Sequence, residues 1–385
     1  MTARPGAQIA WYYHLPAVST EEEVEDLVDT SLLPLVQAHR ETGRKVLLAL
    51  TGALVDRVAD VGLSAIDAVG GLVEDGLCEL CGTTYHEVFP PLLPLRYLRV
   101  QIERDLETKR ARFGIEPTVF YPPNFTWTST LPALLAEAGF HGALLDEDHY
   151  VLATSTQLWR WTVQRGSRLA TTLHETMVDR RELHRPYVHP VRGGMDGRLM
   201  CFVRDFDLVR RISFGTAGVL HRPLEESAID AAAATVAGLV EGGGRVTLAD
   251  DGDRINPVSL AGYRRFLELL PPGTTVLPRD LGAGSAGATE LLYLPSFSIA
   301  DVREFWLHDL DALHYARILD EIHRAGVPEE LEDTLLELQD VFFLFWKTLP
   351  RKSYYLDRLL ALWRQVCDDR LENARGGDSP HLRDR

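Results

Sequence analysis

Cysteine is scarce in this chain, with four in 385 residues. That is too few for a disulfide framework. Cys78 and Cys81 form one C-x-x-C pair with His86 nearby, but no fourth ligand follows, so the pair reads as packing and no metal is expected. Basic charge is also short. Forty Lys and Arg face 56 Asp and Glu, a formal net charge of −16 without a long basic run. Nucleic acid and anionic membrane, which need a positive footprint, are not expected partners. No stretch reaches about 18 consecutive apolar residues, so no membrane span is expected. The opening "MTARPGAQIAWYYHLP" lacks the apolar core of a secretory signal, and a cytoplasmic protein is the expectation. A Walker-type phosphate loop, a G-x-S-x-G elbow and an H-E-x-x-H pair are all missing. Nucleotide-dependent and common hydrolase chemistries recede with them, and no cofactor is expected.

What is present is an alternation of short apolar runs with longer amphipathic ones. Hydrophobic residues make up 45% and charged residues 25%, as in an ordinary globular protein. "AQIAWYYH", "KVLLALTG" (45–52), "LCELCGTT" (77–84), "PTVFYPP" (117–123), "HGALLDED" (141–148), "RLMCFVRDFD" (198–207) and "GRVTLADDGD" (244–253) read as buried parallel strands. Between them, residues 21–42 carry Val24, Leu27, Val28, Leu32, Leu35 and Val36 at helical spacing, behind Ser19-Thr20 and a run of acids that suit a helix start. "TSTLPALLAEAGF" is a further helix ending in glycine. This predicts an α/β fold, a (β/α) barrel or doubly wound sheet, with its site at the C-terminal edge of the strands. A closed barrel is favoured because polar clusters follow many strands. From about residue 298 three amphipathic helices follow without strand signals. They predict a C-terminal helical domain over 298–372, with Phe342, Phe343, Phe345 and Trp346 in its core. The first domain is expected over 1–281, the glycine run 282–288 as a linker and 373–385 as a flexible tail. The apolar C-terminal helices could also support a homodimer.

Five clusters could carry chemistry: His14 after the first strand; Glu79, His86 and Glu87 in "GLCELCGTTYHEVFPPLLP"; "FYPPNFTW" (120–127); Arg204, Asp205 and Asp207 in "FVRDFDLVRRISF"; and Asp250, Asp251 and Asp253 in "LADDGDRINP". Each has a plainer reading. Acids after strands cap helices, Arg204 beside Asp205 is a possible ion pair, and "DDGD" is a possible turn in which Gly252 supplies a positive φ. Together they suggest sugar chemistry. Cleaving a glycosidic bond takes two carboxylates flanking it, aromatics stack on sugar faces, and Asp, Arg and His bond hydroxyls.

In order and spacing these runs resemble the family-57 glycoside hydrolases. "YHLP" at 13–16 is similar to the His-Gln-Pro motif, with Leu15 replacing the glutamine. The run 76–94 resembles the second motif through Gly76, Glu79, Thr83, Tyr85, His86, Pro91 and Leu92. Residues 101–127 resemble the approach to "W-P-x-E". "FVRDFDLVRRISF" resembles the fourth motif through Arg204, Asp205, Leu208, Ile212 and Phe214, and "LADDGDRINP" the last. The resemblance implies an incomplete (β/α)7 barrel with a helical C-terminal region, acting on an α-glucan, oligosaccharide or sugar-derived metabolite. It places the general acid/base on Asp205 with Arg204 beside it. Sugar contacts fall on His14, Glu79, His86, Asp251 and Asp253, with Tyr121 and Trp127 as the aromatic setting. The nucleophilic glutamate falls on Asn124, and an amide oxygen is a far weaker nucleophile than a carboxylate. Asp146, Glu147, Asp148 and Asp207 are the candidate replacements. Failing those, the substrate could supply its own nucleophile, as acetamido sugars do, with Asn124 orienting it; otherwise the expectation is a barrel that binds sugars without cleaving them, or a sugar isomerase or lyase.

Overall fold

The computed structural model describes residues 4–62, 64–154, 180–191, 197–212, 225–281, 288–292, 294, 310–341 and 349–376. Nine strands lie among them. They are β1 (Gly6–Tyr13), β2 (Val46–Leu50), β3 (Cys78–Leu80), β4 (Val119–Phe120), β5 (Gly142–Leu145), β6 (Tyr187–Pro190), β7 (Arg198–Val203), β8 (Arg245–Asp251) and β9 (Thr289–Glu290). The seven strand runs read from the sequence are all present, several cut short by the loops that follow. β6 and β9 were not foreseen, being four and two residues long without an apolar run.

The strands form two ladders. One is parallel throughout, in the order β3-β2-β1-β8. The other runs β4-β5-β7-β6-β9, with β6 antiparallel to β7. Among the described residues the ladders do not merge into one closed barrel. They touch at two single bridges, Gly82 with Phe120 and Arg204 with Thr247. There the Tyr121 N–H donates to Gly82 O and the Asp205 N–H to Thr247 O, each at 2.8 Å. The fold is α/β. Its sheet reaches β9, past the boundary expected at residue 281.

Two-sided burial explains the strand sequences. All eight residues of β1 are buried. Since successive side chains point to opposite faces, Ile9, Trp11 and Tyr13 enter an outer core with helices Leu33–Thr42, Gly52–Asp60, Ala65–Glu74, Glu226–Glu241 and Leu260–Leu269. Ala10 and Tyr12 enter an inner core shared by both ladders, with Leu47, Ala49, Cys81, Val119, Tyr121, Leu144, Phe202 and Ala249. Cys78 belongs to the outer core and Cys81 to the inner one, and burial pushes both thiols up.

The helix expected over 21–42 is broken by a π-helical turn, Val28–Leu32. The turn delivers Ser31, whose Oγ donates to Gly252 O at 2.8 Å and lies 3.1 Å from Tyr13 Oη. Gly252 does not have the positive φ considered for it. It is small because a Cβ would stand 2.2 Å from the Tyr13 ring.

The C-terminal helices Leu310–Ala325, Glu332–Leu338 and Leu349–Gly376 share a core with Phe89 and Tyr97 of the α/β part. Gln101 Nε2 donates to Gln339 Oε1 at 2.8 Å, and the Val341 N–H donates to Glu87 O at 2.6 Å. The last helix runs into the segment expected as tail. Phe342, Phe343, Phe345 and Trp346, residues 282–287 of the linker and residues 377–385 lie outside the described residues. Among the described residues no helix is long and apolar enough to cross a membrane.

Candidate functional site

Parallel strands deliver their C-terminal ends to one edge, and the polar residues that follow them gather there. His14 follows β1, Glu87 lies in the loop after β3, Asn124 follows β4, and Asp251 ends β8. Glu87, 3% exposed, joins them. Its Oε2 lies 2.7 Å from His14 Nδ1, and its Oε1 accepts from Asn124 Nδ2 at 2.5 Å. Among the described residues, Asn124 and Phe125 are the two non-glycine residues with positive φ, 49° and 48°. Such strain persists only where surrounding packing enforces it. Here Phe125 lies under the Arg204 guanidinium, 4.0 Å from its carbon to the ring centre.

Electrostatics set this group apart. Burial works against charge on His14, but the charge and hydrogen bond of Glu87, with Asp251 and Asp253, outweigh it and raise its pKa to about 9. Burial, then Asp250 and Asp253, push the Asp251 carboxyl up to about 7, against the lowering effect of His14 and Arg254. The Asp251 side chain keeps 40% of its surface open, so water screens part of that repulsion. Arg254 Nη2 lies 3.7 Å from Asp251 Oδ2. Tyr12 stacks on Tyr121, ring centres 5.0 Å apart, and Tyr12 also touches the His14 ring at 5.1 Å. The buried hydroxyl of Tyr121 has no hydrogen-bond partner.

Arg204 forms a second, buried group. Its Nε donates to Asp146 Oδ2 at 2.5 Å and its Nη1 to Ala249 O at 3.2 Å. Burial disfavours charge on Asp146, but Arg204 and His149 overcome this and hold the carboxyl below the usual range.

Asp205 is fully buried at the start of helix Phe206–Ile212. Its Oδ1 accepts from the Leu208 N–H at 2.9 Å and its Oδ2 from His184 Nε2 at 3.0 Å. That is helix-cap geometry. Glu147 supports the same helix, accepting from the Phe206 N–H at 2.9 Å.

Other expected residues lie apart. Glu79 accepts from the Arg279 N–H at 3.2 Å, near the Lys45–Asp280 pair at the opposite, N-terminal end of the strands. His86 turns its ring edge-on to Tyr85 at 4.9 Å; burial and then Arg104 lower its pKa to about 3. Asp207 pairs with Arg211 along its own helix at 2.8 Å. Trp127 is fully buried against His149, ring centres 6.3 Å apart, and its Nε1 has no hydrogen-bond partner. Glu87 stood with Glu79 and His86 among the candidate clusters, but not among the sugar contacts that the resemblance implies. The available signal was a carboxylate beside a histidine in a proline-rich loop at a strand end. Among the described residues no three His, Cys, Asp or Glu side chains group as metal ligands.

Polar clusters thus stand at the C-terminal ends of parallel strands, the place where α/β folds carry their sites. A model of glycosyl hydrolase family 57 matches residues 28–276, and the chain belongs to that family. It shares its fold with 4-α-glucanotransferase from Thermococcus litoralis (16% identity, TM-score 0.71), covering 94% of this chain and 59% of that one. It is similar to the branching enzyme of Pyrococcus horikoshii (14% identity, TM-score 0.66), covering 93% of this chain and 88% of that one. The α-amylase AmyC of Thermotoga maritima is similar too (12% identity, TM-score 0.65; 97% of this chain, 94% of that one). The chain thus spans about three-fifths of the length of the glucanotransferase. No curated protein sequence matches it.

Proposed function

We propose that this protein is a carbohydrate-active enzyme acting on an α-linked glucan or oligosaccharide. Its seven parallel strands would wrap as an incomplete barrel, with the two ladders meeting at their single bridges around the inner core. Family membership and the three neighbours, named as glucanotransferase, branching enzyme and α-amylase, support this reading. The acid/base role goes to Asp251. The observation that carries this is its environment: a carboxyl at a strand end, partly open, pushed up towards neutrality by burial, Asp250 and Asp253. A proton donor is most effective with a pKa near the working pH. Asp205, with both oxygens engaged below the surface, takes the structural part. The stacked Tyr12 and Tyr121 and the cationic His14 line the same edge as hydrogen-bonding partners for hydroxyls.

Turnover of maltoheptaose, followed as hydrolysis and as glucan transfer, by wild type, Asp251→Asn and Asp205→Asn tests this assignment. Loss of one proton-transfer group costs typically 10²–10⁴-fold in rate. Asp251→Asn is expected to lose about that much kcat at an unchanged melting temperature. Asp205→Asn is expected to lower the melting temperature first. An active Asp251→Asn, or a folded and inactive Asp205→Asn, overturns the assignment. Asn124 favours a second reading, a barrel that binds glucans without cleaving them. Maltoheptaose binding with no turnover by wild type would select it.

A further inference from the structure

Glu87 is a buried charge whose two partners decide what the strand-end site presents. A carboxylate only accepts hydrogen bonds. The atom 2.5 Å from Glu87 Oε1 must therefore be the Nδ2 of Asn124, and the amide carbonyl oxygen is turned away from Glu87. On the other side Oε2 lies 2.7 Å from His14 Nδ1, an ion-pair contact. Backbone geometry reinforces this, since Asn124 sits at φ 49° inside the short turn Pro123–Phe125. The groups that face His14 are Glu87 across that ion pair, Asp251 at the end of β8, Asp253 in the turn after it, and the Tyr12 ring; Arg254 lies beyond, against Asp250 and Asp251.

We infer that Glu87 is a positioning residue that shifts the site's negative charge off position 124: it fixes Asn124 with its carbonyl oxygen toward the ligand and holds His14 as an ion-pair partner beside Asp251. That the ligand is a sugar rests on the function proposed above; the hydrogen bond to Asn124 and the ion pair with His14 stand without it. A carboxylate returned to position 124 would meet Glu87 at hydrogen-bond distance, and two such groups share one proton. The amide at 124 and the acid at 87 therefore belong together.

Proton–nitrogen NMR of ¹⁵N-labelled protein tests the inference, with His14→Gln assigning the imidazole signal and Asn124→Asp the side-chain amide. In wild type the His14 ring is expected to titrate near pH 9, not near 6.5. In Glu87→Gln the midpoint is expected to fall by more than about one unit, because an opposite charge is removed, and the Asn124 NH2 signal is expected to move to the position of a free amide. Glu87→Asp, which keeps the charge and shortens the reach, is expected to fall between. A wild-type midpoint near 6.5, or one that Glu87→Gln leaves unmoved, overturns the inference, and if Glu87→Gln does not fold the wild-type titration and Glu87→Asp decide. On maltoheptaose the alkaline limb of kcat/KM is expected to follow the His14 midpoint across Glu87→Asp. If the NMR shifts occur and even wild type turns nothing over, the proposed function falls and the positioning role stands.

Discussion

Two histidines close to β1 show how one side chain takes opposite charge states within a single fold. His39 lies in the outer core, fully buried. Its Nδ1–H donates to Arg44 O at 2.8 Å, and its Nε2 accepts from Tyr263 Oη at 2.6 Å. Tyr263 in turn accepts from Trp11 Nε1 at 2.8 Å. Every polar atom of that network is satisfied by neutral partners, and burial lowers the His39 pKa to about 4 despite the Arg44 carbonyl. His14 ends the same strand, where carboxylates converge, and is pushed the other way. Burial alone therefore does not mark the site. What separates the two regions is that the outer core closes its polar groups on neutral partners, while the strand ends bring together the charges of His14, Glu87 and Asp251 from β1, β3 and β8.

The largest effect that would sharpen this contrast is in acid. His39 binds its proton less readily folded than unfolded, so stability is present above the unfolded value of 6.5 and lost as pH falls from there toward about 4. At about 1.4 kcal/mol per unit this amounts to roughly 3 kcal/mol, and urea unfolding across pH 4–7 should show His39→Gln with a shallower slope than wild type. His14 has the opposite sign. Its contribution is complete below 6.5 and disappears as pH rises through about 9, so His14→Gln should flatten the alkaline side only. If both variants change the same limb, the contrast fails.

A middle-sized effect comes from the contact between the two regions. Gly252→Ala places a methyl group 2.2 Å from the Tyr13 ring, and overpacking of this kind costs about 1–3 kcal/mol. Thermal melting should show that loss together with a shift in the Asp251 titration, since the same turn carries that carboxyl. An unchanged melting temperature would mean that Tyr13 moves aside freely. The smallest effect is expected at Asp207→Asn. Its half-open pair with Arg211 is of the kind worth about 0.2–1 kcal/mol, so its activity and melting point should stay close to wild type. A large loss of activity would return Asp207 to the site.

Much of the scaffold was legible because two-sided burial writes itself as continuous apolar runs. "KVLLALTG" and "GRVTLADDGD" became β2 and β8 for that reason. β6 escaped notice because its four residues, Tyr187–Pro190, include a histidine and a proline and stand beside β7 without an apolar run of their own. Individual roles within the site were harder to read. Asp205 and Asp251 each follow a strand and each has acidic neighbours. Sequence spacing does not show that the first caps a helix beneath the surface while the second stands partly open among like charges.

The sequence by itself determined the family, the order of strands and helices, and the strand-end location of the polar clusters, since periodicity and motif spacing are local properties of the chain. Only the tertiary structure decided which charges meet. Glu87, Asn124, His14 and Asp251 come from four separate strand ends up to 237 positions apart, and hydrogen bonding and pKa depend on distances that close only when those ends converge.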